Sequence, residues 1–248
     1  MNKIIKTVLL IVSFIVIWHL IVTIFNIPKY ILPSPVLVIN VFFEKYFEIF
    51  SNSTITIYEA LFGFIIANSF SILIALCIAF NKKLENYLVP LAVALKTIPI
   101  IAITPLLLLW LGPGEISKVA TAGLICFFPS LVTVLRGVKC LDRDLLRFFK
   151  ANSADKIQLT QLLIIPSILP YLFASLKVSS SLAIVGALVG EFIGSNKGLG
   201  FLIVSNYYTL NTPMVFACII TTSLIGIIFY YVIQSFERKI ITWTDSID

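Results

Sequence analysis

A chain of 248 residues that is 59% hydrophobic and only 12% charged does not have the composition of a soluble domain, which averages about 45–50% apolar and roughly 25% charged. Its formal net charge of +6 comes from 18 Lys and Arg against 12 Asp and Glu. The cations sit at the ends of apolar runs, so they read as a topology signal and not as a nucleic-acid surface.

In chain order, Lys3 and Lys6 precede an apolar run over 4–25. That run is longer than the usual core of a signal peptide, and no small-x-small cleavage site follows it. It is expected to stay as the first span. Next comes Ile27-Pro28-Lys29-Tyr30-Ile31-Leu32-Pro33-Ser34-Pro35, too rich in proline for helix. Residues 36–50 mix glutamates and aromatics with apolar positions and predict an external, interfacial amphipathic helix. Further spans are expected at about 55–80, 84–111, 116–135, 169–193 and 213–236. Span three is interrupted by Pro90, Pro99 and Pro105, span four carries Pro129 near its end, and a short Gly-rich loop joins spans five and six.

Several of these runs exceed the ~20 residues that cross about 30 Å of hydrocarbon. Ser71-Ile72-Leu73-Ile74-Ala75-Leu76-Cys77-Ile78-Ala79-Phe80 does not alternate in polarity as a membrane β-strand must. The prediction is an all-α polytopic membrane protein with about six transmembrane helices. Residues 1–50 would hold the first helix and the external segment, and 51–240 the remaining transmembrane domain.

Orientation follows from Lys and Arg near span ends, which favour the cytoplasm. With the N-terminus inside, the cytoplasmic side holds Lys3, Lys6, Lys82, Lys83, Arg136, Lys139, Arg143, Arg147, Lys150, Lys156, Arg238 and Lys239, against Lys29, Lys45, Lys118 and Lys197 outside. Six spans put both termini in the cytoplasm. Trp110 and Trp243 fall at span ends, where indoles settle at the headgroup level.

Nothing in the chain reads as catalytic, and no cofactor or metal site is expected. Cys77, Cys126, Cys140 and Cys218 form no CxxC pair, offer neither zinc spacing nor a disulfide framework, and read as small buried hydrophobes. A GxxxxGK[ST] phosphate loop is absent. The Gly194-Ser195-Asn196-Lys197-Gly198-Leu199-Gly200 cluster has the wrong spacing and falls outside, so the chain is not expected to hydrolyse ATP. His19, alone in span one, suits packing or a hydrogen bond to a neighbouring helix.

Charge inside the membrane costs about 2.5–3.5 kcal/mol at a helix centre on insertion scales, so it normally faces a cavity or a partner. Glu59 and Glu191 lie near the outer ends of spans two and five, within reach of the interface by snorkelling. Lys96, close to Pro99, and Lys177 either anchor to an interface through their long stems or line a polar path for an anion. Gly186, Gly190, Gly194 and Gly198 recur every fourth residue, a small face that either packs closely on another helix or widens a pore. Lys96, Pro99, Lys177, Gly186, Gly190 and Glu191 are therefore the translocation-path candidates.

The basic loop over 136–168 holds two short helical patterns, 142–150 and 154–165, separated near Asn152-Ser153. Phe148 and Phe149 beside Arg147 and Lys150 suit a knob docking in a groove of another protein. A solvated, positive-inside loop is the plain alternative.

Four segments then resemble one family: Leu32-Pro33-Ser34-Pro35; Thr56-Ile57-Tyr58-Glu59-Ala60-Leu61-Phe62-Gly63-Phe64; Ile98-Pro99-Ile100 through Pro105, Trp110-Leu111-Gly112 and Lys118; and Pro166 to Pro170 through Gly186, Glu191 and Gly198-Leu199-Gly200. The chain is similar to the permease subunit of bacterial ABC importers of the nitrate/sulfonate/taurine type. The family's docking loop runs Glu-Ala-Ala, three residues, Gly, nine residues, Ile-x-Leu-Pro. Here those places hold Arg147-Phe148-Phe149, Ser153 and Leu163-Ile164-Ile165-Pro166; the spacing is kept and the Glu-Ala-Ala and Gly are not. The resemblance implies a type I importer transmembrane domain in the bacterial plasma (inner) membrane. It also implies a homodimer of this subunit, two cytoplasmic ABC ATPase subunits, and an extracytoplasmic substrate-binding protein. Arg147, Phe148, Phe149, Lys150, Ser153, Ala154 and Asp155 would form the ATPase-coupling segment. The solute would be nitrate, an alkanesulfonate, taurine or a thiamine pyrimidine precursor. A stand-alone secondary transporter or channel would instead need an internal repeat or paired acids and bases at the midplane, and neither is found. A membrane enzyme or scaffold would need clustered His, Asp or Glu.

Overall fold

The computed structural model describes residues 3–80 and 82–242, and among these every regular element is helical. Helix α1 spans Lys3–Ile24 and α2 Pro35–Glu44; α3 runs Tyr46–Phe80, α4 Lys82–Lys96, α5 Ile100–Leu111 and α6 Glu115–Lys139. Helix α7 is Arg143–Ala151 and α8 Lys156–Leu159. A π-helical turn, Thr160–Ile164, joins α8 to α9, Ile165–Phe192. Helices α10, Leu199–Tyr208, and α11, Thr212–Ile240, complete the chain. Among the described residues, five helical stretches are long and apolar enough to cross a membrane.

The core is a three-helix stack of α3, α6 and α9, built on small residues. A Cβ placed on Gly63 of α3 would lie 2.7 Å from Ala122 Cβ and from Val119 O. One placed on Gly186 of α9 would lie 2.6 Å from Ala122 Cα. Ala122 thus fits between two glycines, and three backbones come as close as helices in a membrane interface can.

Polar contacts fix the register of this stack. Lys118 meets Glu59 at 3.8 Å, Ser130 Oγ donates to Asn68 Oδ1 at 2.7 Å, and Ala75 and Ile78 pack in one cluster with Leu131, Val134 and Leu135. Residue numbers rise together on both helices, so α3 and α6 are parallel. On the other side Gly190 lies against Lys118, Gly186 against Ala122, and Tyr171 against Gly137, while Cys126 Sγ donates to Ser179 O. There the numbers run in opposite directions, so α9 is antiparallel to α6. Helix α11 is antiparallel to α9, with Lys177 midway along α9 paired to Glu237 in the last turns of α11 and α10 turning the chain between them.

Parallel α3 and α6 force residues 81–114 to return the full depth of the bundle. That return is the sixth crossing, but it is not one helix: α4 and α5 are separated at Thr97-Ile98-Pro99. Pro99 has no amide hydrogen to give, and it restricts Ile98 to extended backbone. Pro90, Pro105, Pro129 and Pro170 stay inside helices.

Several predicted boundaries move. The external helix is shorter than 36–50: α2 starts at Pro35, where Ser34 Oγ accepts from Leu37 N at 3.3 Å, and residues 46–50 belong to α3. The region between spans five and six is not a bare loop but contains α10. Most of the 136–168 loop is absorbed by α6 and by the continuous stretch Lys156–Phe192. His19 is exposed on α1 instead of packed, and Cys77 and Cys140 are exposed where burial was expected. Trp110 is exposed at the end of α5, and Trp243 lies outside the described residues.

The stack predicts how substitutions behave. Gly63→Ala should destabilise the protein in detergent by about 1–3 kcal/mol, the usual cost of overpacking. Gly226→Ala, where an added Cβ meets nothing within 4 Å, should melt with wild type. Equal melting of the two variants would show that Ala122 is not the tight point.

Candidate functional site

Two regions concentrate polar residues. The first is the segment between α6 and the α8–α9 rod, at the end of the bundle that carries Arg136, Lys139 and Arg238. It starts at Asp142, whose Oδ1 accepts from Asp144 N at 2.7 Å and from Leu145 N at 3.4 Å, capping α7. On α7, Arg147 pairs with Asp144 at 3.1 Å on the exposed surface. Phe148 is 61% exposed and Phe149 half-buried, with their rings edge to face at 5.9 Å. Both aromatics thus remain on the surface of this chain. Lys150 also lies on α7.

After α7 the chain turns through Ser153, whose φ is +54. A left-handed residue with a side chain is uncommon and costs roughly 1–2 kcal/mol relative to glycine. Here the family's pattern has its Gly. Asp155 then starts α8 with a reciprocal cap: its Oδ1 accepts from Gln158 N at 2.7 Å, and Gln158 Oε1 accepts from Asp155 N at 3.0 Å. The Asp-x-x-Gln spacing is a capping signature that the helical reading of 154–165 passed over. Ala154, half-buried, lies between the two turns.

The second region lies at the opposite end. Glu59 of α3 and Glu191 of α9 are almost completely buried, at 0% and 1% exposure. The snorkelling expectation for both is therefore corrected: each carboxyl faces helix neighbours and not the interface. Lys118 of α6, 5% exposed, supplies the positive charge, with its Nζ 3.8 Å from Glu59 Oε1. Among the described residues neither Glu59 oxygen accepts a hydrogen bond. Glu191 is fully engaged: its Oε1 accepts from Thr56 Oγ1 at 2.6 Å and its Oε2 from Gly200 N at 2.5 Å. A Cβ on Gly198, whose φ is +100, would collide with this carboxylate. Glycine is required there both for its backbone and for its lack of a side chain.

The other path candidates disperse. Gly186 and Gly190 pack on α6 within the chain. Lys177 Nζ pairs with Glu237 Oε2 at 2.8 Å, both about four-fifths buried. Pro99 marks the break between α4 and α5, and Lys96 ends α4. A groove of about 560 Å³ opens between α9 and α11, lined by Ser181, Val185, Thr222, Ser223, Tyr230 and Tyr231 among apolar neighbours. No group of three or more His, Cys, Asp or Glu lies together among the described residues.

Comparison with known proteins accounts for this architecture. Residues 61–242 match the family described as "Binding-protein-dependent transport system inner membrane component". The chain is 34% identical to the formylaminopyrimidine transport permease of Halalkalibacterium halodurans, over 92% of this chain and 91% of that protein. It is 32% identical to the riboflavin transport system permease of Chloroflexus aurantiacus, over 94% and 87%. It is 31% identical to an aliphatic sulfonates transport permease of Bacillus subtilis, over 97% and 88%.

The buried cluster makes a direct prediction. Lys118→Met leaves two buried carboxyls without their cation, and breaking a buried pair from one side costs about 3–5 kcal/mol. Thermal unfolding in detergent should show that loss, and Glu59→Gln in the same chain should recover most of it. A single variant as stable as wild type would remove Lys118 from the cluster.

Proposed function

The chain belongs to the family of binding-protein-dependent transport system inner membrane components, and we propose that it carries a small polar solute inward with a separate ATPase and an external binding protein. It is the permease subunit of an ABC importer and a multi-pass protein of the plasma membrane. The stand-alone transporter reading is set aside by this membership. ATP hydrolysis is assigned to the partner, with two copies of this subunit and two ATPases in the assembly and both termini in the cytoplasm.

One observation carries the coupling assignment. Between two long helices the chain builds a short amphipathic helix, α7, fixed at its start by the Asp142 cap and followed by the Ser153 turn and the Asp155 cap. It leaves Phe148 on the surface. A solvated loop that only set topology would need neither the caps nor the aromatic. Arg147, Phe148, Phe149, Lys150, Ser153, Ala154 and Asp155 are proposed to seat in a groove of the ATPase, with the rings as anchors.

The solute is narrowed by what the bundle does with its lysines. Lys118 and Lys177 are each taken by a carboxylate of the same chain, so neither offers a free charge to an anion. The groove between α9 and α11 is mostly aliphatic, with Ser181, Thr222, Ser223, Tyr230 and Tyr231 as its hydroxyls. These features support an uncharged heterocycle of the pyrimidine or flavin kind over a sulfonate. Lys96, Pro99, Gly186, Gly190 and Glu191 remain assigned to the walls and supports of the path.

The test is reconstitution of the permease with its ATPase and binding protein in liposomes. Uptake of labelled formylaminopyrimidine or riboflavin should require ATP and all three components. Transport of taurine or an alkanesulfonate in their place would overturn the solute assignment, and uptake by the permease alone on an ion gradient would overturn the importer assignment. Phe148→Ala with Phe149→Ala should release the ATPase while leaving insertion intact, since truncating an interface hot spot costs at least about 2 kcal/mol. Retained binding and full uptake would reduce α7 to a topology-setting segment. Ser153→Gly should keep uptake and raise the melting temperature of the complex, because it relieves a left-handed residue.

A further inference from the structure

Helix α10 has no cap of its own. Gly198 stands at its N-cap position and makes no side-chain cap bond. Its first three amides are instead bonded, one each, by side chains of two other helices. Gly198 N donates to Asn52 Oδ1 at 2.7 Å, Leu199 N to Thr56 Oγ1 at 2.9 Å, and Gly200 N to Glu191 Oε2 at 2.5 Å. The Thr56 hydroxyl closes the circuit by donating to Glu191 Oε1 at 2.6 Å. Amides left open at a helix start need such partners, and a carboxylate there is also favoured by the helix dipole.

Glu191 stands at the last turn of α9, and the helical stretch runs back from it past Pro170 and through the π-helical turn Thr160–Ile164 to Lys156. Thirty-seven residues at 1.5 Å each make about 55 Å. Its far end begins at the Asp155 cap, next to the segment assigned to ATPase docking. The same rod therefore touches α10 at one end and the coupling segment at the other. A force on α10 either breaks the bonds at a buried carboxylate or moves α9 with it, against α3, which carries Asn52 and Thr56. Losing a partner of a buried charge is the costlier choice, so the rod moves. Packed helices shift as bodies and do not deform continuously.

Resting on the importer reading, we propose that Thr56 is a positioning residue. It latches α10 to α9, so that docking of the binding protein at the α10 end is transmitted along α9 to the segment over 143–155. The latch belongs to transmission, not to solute contact or ATP hydrolysis.

The test uses the reconstituted complex of permease, ATPase and binding protein. The binding protein is saturated with a mixture of formylaminopyrimidine, riboflavin, taurine and an alkanesulfonate. ATP hydrolysis is measured with and without it. Thr56→Val keeps the shape of the side chain and removes the hydroxyl. It should leave assembly and basal hydrolysis as in wild type and cut stimulation by roughly tenfold, the loss expected for a hydrogen bond to a charged group. Thr56→Ser restores the hydroxyl and should restore stimulation. Should Thr56→Val fail to assemble, Asn52→Ala takes its place; it removes the Gly198 bond and, within α3, the Asn52 Nδ2 bond to Glu48 O, and should lower stimulation roughly threefold. Full stimulation in the variant that assembles would overturn the proposal. So would a parallel fall in basal hydrolysis and stability that Thr56→Ser does not repair, since that is a structural role alone. A wild-type complex that no binding protein stimulates would instead overturn the importer reading on which the latch rests.

Discussion

Ala122 sits where three helices come closest, and most of the structure depends on that contact. With a glycine on each side, the axes of α3, α6 and α9 approach until backbone meets backbone. At that separation short polar side chains can bridge helices: Asn68 to Ser130, Ser130 to Ser175, and Ser71 to the carbonyl of Phe127. Lipid tails are as apolar as leucine, so burial gives these helices little reason to associate. Close packing and interhelical hydrogen bonds must do so. The small residues therefore come first, and the polar ladder follows from them.

The same closeness makes room for buried charge at one end. Glu59, Lys118 and Glu191 come from the three stacked helices and meet one level beyond the Gly63–Ala122–Gly186 contact. Two carboxyls and one ammonium are held away from water, an arrangement that costs several kcal/mol per ion unless paired. Glu191 meets that demand with the Thr56 hydroxyl and a backbone amide of α10. Glu59 has the Lys118 ammonium at 3.8 Å and the Glu191 carboxyl beside it. Midway along α9, Lys177 and Glu237 repeat the device with a single pair. The bundle neutralises its described internal cations within one chain.

The sequence made the spans legible because hydrocarbon thickness sets their length and long apolar runs have few other uses. It also marked out the segment over 142–155, through cations and aromatics that have no place in lipid. Interruptions were less legible. Five prolines fall within the helical regions of spans three to five, and only Pro99 breaks its helix, because a packed neighbour can tolerate a lost amide bond where an isolated pattern cannot. Helix α10 was hidden because its start is stabilised by Asn52, Thr56 and Glu191, far away in sequence, and local capping signals are absent. The burial of Glu59 and Glu191 was hidden for the same reason. A carboxyl near a span end can turn toward water or toward a neighbour, and only the neighbour's ammonium decides.

The segment over 142–155 departs from the family's residues and holds its turn by other means. The family's pattern puts a glycine where this chain has Ser153, yet Ser153 takes the left-handed backbone that glycine takes at no cost (φ +54). Asp142 and Asp155 cap the helices on either side, and those bonds hold the turn against the strain. The Glu-Ala-Ala of the pattern is replaced by Arg147-Phe148-Phe149, which changes the surface offered to a partner from small and acidic to bulky and basic. Backbone geometry is held here by local hydrogen bonds, while the exposed side chains differ from the family's pattern. An ATPase docked here as proposed would meet a bulkier and more basic surface than Glu-Ala-Ala offers.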